Sequence, residues 1–137
     1  MKPGSAILMD HYRHPRMKGT IQQPDARHEV HNRKCGDRLF FTATLENHTL
    51  KDIRFEGEGC FYCLASASIL CCTVSGCAID AALHLIVEFR DWLAHPEAQK
   101  KPPENKEMVA LGEIRDFPMR IGCADLAWKG VEEMLRK

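Results

Sequence analysis

The sequence predicts an α+β chain, a small antiparallel sheet packed against several helices, in one domain over residues 1–137. Three observations carry this. Residues 38–46 alternate Leu39, Phe41, Ala43 and Leu45 against Phe40, Thr42, Thr44 and Glu46. After Asn47-His48 a second run, 49–56, returns with Ile53 and Phe55 on one face, so the two read as an antiparallel hairpin. From residue 60 onward the apolar period changes to three and four residues, which is helical. No internal repeat and no second domain is visible.

Taken in order, Ser5 can cap a short helix over residues 5–13, with Ile7, Leu8, His11 and Tyr12 on one side. Pro15 ends it, and residues 16–19 and 22–24 read as loop. A short strand fits residues 27–31. Asn32-Arg33-Lys34-Cys35-Gly36-Asp37 is a turn, with a cysteine and a carboxylate two residues apart. In extended backbone such side chains point the same way, so Cys35 and Asp37 can face one centre. The hairpin then brings this turn beside Glu56-Gly57-Glu58-Gly59-Cys60, because the start of one strand and the end of its antiparallel partner are neighbours.

Helices are expected over residues 60–74 and 79–94, broken at Ser75-Gly76 and stopped by His95-Pro96. The second carries Ala82, Leu85, Ile86, Phe89 and Leu93 as its stripe. Residues 96–106 are polar, with Pro102-Pro103, and read as an exposed excursion. Met108, Val109, Leu111 and Ile114 suggest a short helix and its end. A last helix over residues 123–135 presents Leu126, Ala127, Val131 and Leu135. Residues 59–79 lack charge and could reach across a bilayer, yet their serines, threonine and glycines favour a buried helix instead.

Composition narrows the function. Lys+Arg and Asp+Glu both number 19, so no basic face marks a nucleic-acid partner. Apolar content of 45% is that of an ordinary folded chain. Seven cysteines cannot all pair internally, and residues 1–16 contain no apolar leader segment. Both point to a reducing cytoplasm, with thiols used for chemistry or packing.

Four residues stand at turns or element ends rather than inside an apolar stripe: Cys35, Asp37, Cys60 and Cys123. Cys60 and Cys123 each precede or open a helix, where unpaired N–H groups favour a thiolate. Three sulfurs and one carboxylate fill a tetrahedral shell for zinc, and thiolate-rich sites also suit iron–sulfur clusters. Lys34, Arg38 and Arg120 are near enough in sequence to offset the negative shell. The oxygen ligand is the one expected to leave most readily. Cys63, Cys71, Cys72 and Cys77 read as packing or incidental, although Cys71 falls near the Cys60 face and Cys63 on the adjacent one. Of the seven histidines, only His11 and His14 are candidates to approach a site.

These residues resemble the U-type iron–sulfur assembly family, and within it the SufU-like branch. The likeness runs through Met9-Asp10-His11-Tyr12-Arg13-His14-Pro15-Arg16, Cys35-Gly36-Asp37-Arg38, Phe55-Glu56-Gly57-Glu58-Gly59-Cys60, Ala65-Ser66-Ala67-Ser68 and Arg120-Ile121-Gly122-Cys123-Ala124-Asp125-Leu126-Ala127-Trp128. The resemblance implies a SufE/NifU-like α+β fold, a three-stranded antiparallel sheet covered by helices. It implies that Cys35, Asp37, Cys60 and Cys123 surround one metal: zinc, or alternatively iron or a [2Fe–2S] cluster. It further implies a zinc-dependent sulfur acceptor fed by a pyridoxal-phosphate-dependent cysteine desulfurase, with Cys35 as acceptor and Arg120 as a functional arginine. Downstream assembly or apo-acceptor proteins would take the product. A scaffold for a [2Fe–2S] cluster and a structural zinc-binding interaction domain are the alternatives. Gly122 stands where the scaffold branch has a histidine, and Arg33-Lys34 departs from the usual approach to the first cysteine.

Overall fold

The computed structural model describes residues 3–137. Strands β1 (Ala26–Asn32), β2 (Asp37–Glu46) and β3 (Thr49–Glu58) form an antiparallel sheet in the order β1-β2-β3. Helices α1 (Pro3–Arg13), α2 (Phe61–Val74), α3 (Ile79–Ala94), α4 (Lys106–Leu111) and α5 (Ile121–Leu135) pack around it. This is the predicted α+β architecture, with β1 extended by one residue at each end beyond 27–31. No described helix is long and apolar enough to cross a membrane.

The alternation read from the sequence fixes the sheet. Leu39, Phe41 and Ala43 are buried, and their register partners Val30, Phe55 and Ile53 lie on the same face. This pairing buries Val30, Leu39, Phe41, Ile53 and Phe55 together; a one-residue slip would turn the set outward. Asn47 and His48 both have positive φ, 52° and 61°, the geometry of the tight turn that joins β2 to β3. A bulge between Thr44 and Leu45 leaves Leu45 only partly buried.

Two departures have simple causes. The segment around Lys18 is not plain loop: Phe55 N–H donates to the Met17 carbonyl and Gly19 N–H to the Phe55 carbonyl, covering the free edge of β3. Such edge pairing leaves no period in the sequence. Ser5 is not a cap either. The helix starts earlier, at Pro3, and the Ser5 hydroxyl donates instead to Glu113 Oε2 at 2.9 Å.

α2 is buried on nearly all sides, which explains its unbroken apolar and small-residue run. α5 lies across the sheet, with Gly130 close against Val30 and Phe41; a Cβ there would come within 2.8 Å of Val30 Cγ1. α2 and α5 are tied by one buried serine. Ser66 Oγ donates to the Ala124 carbonyl at 2.7 Å and accepts from Trp128 Nε1 at 2.8 Å. Trp128 in turn packs on Phe89 of α3, ring centroids 4.3 Å apart. The Leu85 position of the predicted α3 stripe is only partly buried, and Trp92 takes a core place beside Phe89.

Candidate metal centre

Each predicted donor is delivered by a different piece of backbone. Cys35 sits in the turn between β1 and β2, closed by Gly36 N–H donating to the Asn32 carbonyl at 2.8 Å. Asn32 Oδ1 also accepts Lys34 N–H, and Gly36 takes φ +72°, a conformation that costs glycine nothing. Asp37 opens β2 and is buried. Cys60 is the residue before α2, in extended backbone, and Cys123 lies in the first turn of α5. Antiparallel pairing of Arg38 with Glu58 puts the end of β3, and therefore Cys60, beside Asp37.

Cys35, Asp37 and Cys123 offer one ligand atom each, all within 4.8 Å of one another. The Cys35 and Cys123 sulfurs are 3.3 Å apart. Cys60 joins through Asp37: its backbone N–H donates to Oδ1 at 2.9 Å and its thiol stands 4.0 Å from Oδ2. Asp37 is thus a double contact, fixing the start of α2 with one oxygen while presenting the other to the thiols. That backbone contact was not legible in the sequence. Accessibility differs sharply across the set: Cys35 is exposed, Cys60 half-buried, Cys123 fully buried. Burial, with the hydrogen bond to Cys35, pushes the Cys123 thiol well up from the ordinary thiol range.

The surrounding cations are distributed differently from the sequence expectation. Arg38 turns to the outer face of the sheet, its Nε 3.5 Å from Glu29 Oε2. Lys34 is exposed on the turn, and Arg120 is exposed at the cap of α5, three residues before Cys123. His14 is exposed, and His11 is buried between α1, α2 and α4 away from the thiols. Its Nδ1 lies 2.7 Å from Ser68 Oγ and its Nε2 2.5 Å from Glu107 Oε2. Cys71 packs in the core, as expected. It is wholly buried, and the charges that act on it are Cys72, Arg54 and Asp52 rather than the candidate donors. Eleven residues return the side chain to the same helix face, but about 16 Å further along the axis.

Cys63 is the residue the sequence reading undervalued. It is buried in the core, as expected for packing, yet Asp37, Cys60, Cys123 and Cys35 all act on it electrostatically. The one available signal was Cys60-Phe61-Tyr62-Cys63 at a helix start.

Comparison with known proteins places these features in a wider set. The model of the NifU-like N terminal domain matches residues 5–127. The chain is 35% identical over 131 residues to the zinc-dependent sulfurtransferase SufU of Bacillus subtilis (strain 168), covering 96% of this chain and 88% of that one. It is 29% identical over 134 residues to the iron–sulfur cluster assembly scaffold protein IscU of Streptococcus pyogenes serotype M1, covering 96% and 82%. A crystal structure of a hypothetical protein superposes with a TM-score of 0.87 at 29% identity, covering 98% and 97% of the two chains. The N-terminal part of a NifU-like protein from Brucella abortus gives 0.83 at 20% identity, covering 95% and 90%, a likeness of fold alone.

Proposed function

Because this chain belongs to the family of NifU-like N-terminal domains, we propose that it serves iron–sulfur cluster assembly as a sulfur acceptor. Cys35 takes persulfide sulfur from a cysteine desulfurase. One observation carries this reading: of the clustered thiols, Cys35 alone is exposed, while Cys123 stands 3.3 Å behind it. A partner protein can reach the first and not the second. The likeness to a relative named as a zinc-dependent sulfurtransferase supports the same direction.

The residues suit zinc. Three sulfurs and one carboxylate oxygen are four donors, the number that zinc takes, and three of them already lie within 4.8 Å of one another. Cys35, Asp37, Cys60 and Cys123 would hold the ion. Zinc bound there keeps its cysteine ligands deprotonated at neutral pH.

The chain's own residues do the rest. Cys35 Sγ attacks the outer sulfur of the partner's persulfide. A bond forms between Cys35 and that sulfur, the partner's S–S bond breaks, and the partner cysteine leaves as a thiolate. The exchange is redox-neutral. Asp37 holds Cys60 through the backbone contact and keeps the remaining donors in place while Cys35 reacts. Arg120, at the cap of α5, steadies the added anionic sulfur.

The test is mass spectrometry of the full chain after incubation with a desulfurase and cysteine. Wild type loaded with zinc, which occupies Cys60, is expected to gain one sulfur atom at Cys35, and Cys35→Ser to gain none. Uptake by Cys35→Ser at the wild-type rate overturns the assignment. A second reading, a scaffold on which a [2Fe–2S] cluster forms, draws on the same donors and on the likeness to relatives named as scaffolds. Anaerobic reconstitution that yields a transferable cluster would favour it.

A further inference from the structure

One thiol at the site has no part in the donor set or in sulfur uptake. Cys63 is the third residue of α2, and Cys60 is the residue that caps the same helix. Residues three apart on a helix are neighbours, with Cβ atoms about 5–6 Å apart. Cys60 is in extended backbone just before the helix. A disulfide needs Cβ atoms about 3.5–4.5 Å apart, so it requires the start of α2 to draw Cys60 inward. The Cys63 sulfur is not lost in the core. It lies beneath the chain at Gly59, where an added Cβ would come within 2.9 Å of both Cys63 Sγ and Asp37 Oδ1. Only the absence of a side chain at residue 59 lets strand, carboxylate and thiol meet there.

The other extra cysteines are placed elsewhere. Cys71 and Cys72 face charges outside the site, and the Cys77 thiol donates to the Thr73 carbonyl at 3.6 Å. Cys63 is fully buried, so no partner protein can hand it sulfur. It can react only with a neighbour in its own chain. That neighbour is Cys60, and Cys60 reaches the exposed Cys35 and the buried Cys123 across the shared Asp37 carboxylate. Cys35 and Cys123 are 3.3 Å apart, and the Cys60 thiol stands 4.0 Å from Oδ2 of Asp37, the carboxylate clustered with both.

We propose that, in the metal-free chain, Cys63 is a resolving thiol that releases the accepted sulfur as hydrosulfide and leaves a Cys60–Cys63 disulfide. This rests on the sulfur-acceptor reading above. The outer sulfur first moves from Cys35 to Cys60 by thiol exchange, each donor cysteine being left as a thiol. Cys63 Sγ then bonds to Cys60 Sγ. The bond between Cys60 Sγ and the outer sulfur breaks, and the Cys63 proton leaves with that sulfur as HS⁻. The outer sulfur gains two electrons and the two thiols lose them, so the step needs no outside reductant. A dithiol reductant reopens the disulfide for the next round.

The experiment uses the full chain, reduced, freed of metal by chelation and desalted. It is loaded in one arm with inorganic polysulfide and in the other with a desulfurase plus cysteine. Sulfide release is followed colorimetrically, and disulfides are mapped by non-reducing peptide mass spectrometry. Wild type is expected to release one sulfide per chain and to yield the Cys60–Cys63 peptide pair in both arms. Cys63→Ala and Cys63→Ser, each checked by circular dichroism, are expected to keep the persulfide, with release slowed at least about tenfold. Release at the wild-type rate by a folded Cys63 variant, or a disulfide mapping to Cys35–Cys123, overturns the proposal. Loading from polysulfide but not from the desulfurase defeats the acceptor reading instead, and leaves the resolving step to be judged in the polysulfide arm.

Discussion

Asp37 concentrates the chemistry of the site in one side chain. It is buried, it accepts the Cys60 backbone N–H, and its second oxygen faces the thiols. Removing it orphans that N–H, at a cost of about 1–3 kcal/mol. If the centre were only structural, Asp37→Ala would lose stability and sulfur uptake in step. The expected outcome is different: urea unfolding shifts by that modest amount, while sulfur uptake falls much further than the loss of folded protein explains. His11 makes a separate residue-scale case. Burial, partly opposed by Glu107, lowers its pKa from the ordinary 6.5. A histidine that resists protonation when folded takes its proton more readily when unfolded. Stability is therefore expected to be full above about pH 6.5 and to fall as pH drops below it. The groups facing it are Asp10 on α1, Arg16 after it, Ser68 on α2 and Glu107 on α4. Thermal melts of wild type and His11→Gln across that range check it; the variant is expected to lose much of the slope.

At the scale of elements, the site depends on how α2 and α5 are held together, since one starts just after Cys60 and the other carries Cys123. Ser66 is the polar clasp between them. Ser66→Ala leaves Trp128 Nε1 buried without an acceptor, with an expected loss of about 1–3 kcal/mol in denaturant unfolding. Elements with a strong period were legible: the β2–β3 hairpin, α3 and α5 all fall within a few residues of their expected places. The edge pairing around Lys18 and the early start of α1 were not, because each is decided by a distant partner, Phe55 for one and the packing against α4 for the other. The turn at 33–36 was legible as a turn, but not the closeness of α5 to it. Gly122, whose added Cβ would lie 3.6 Å from Asn32 Nδ2, shows how near that helix comes.

For the whole molecule, the candidate donors come from a turn, a strand start, the cap of α2 and the first turn of α5, so a metal held by them would be coupled to the fold. Binding an ion to ligands that are adjacent only when folded stabilises the folded state. Chelation is expected to lower Tm and zinc to restore it, with Cys35→Ser giving a smaller shift than wild type; differential scanning calorimetry reads all three. Periodicity and turn chemistry are local properties, and they sufficed for the element types, the place of the hairpin turn and which cysteines stood outside the apolar stripes, but not for the bulge that sets the register. Only tertiary structure decided that Cys35 meets Cys123 across 88 positions, that Asp37 anchors α2, that Arg38 faces outward, and that Cys63 lies beneath the thiols while Cys71 does not. Those are distances between elements. They are set by how the helices pack on the sheet, and no local pattern encodes them.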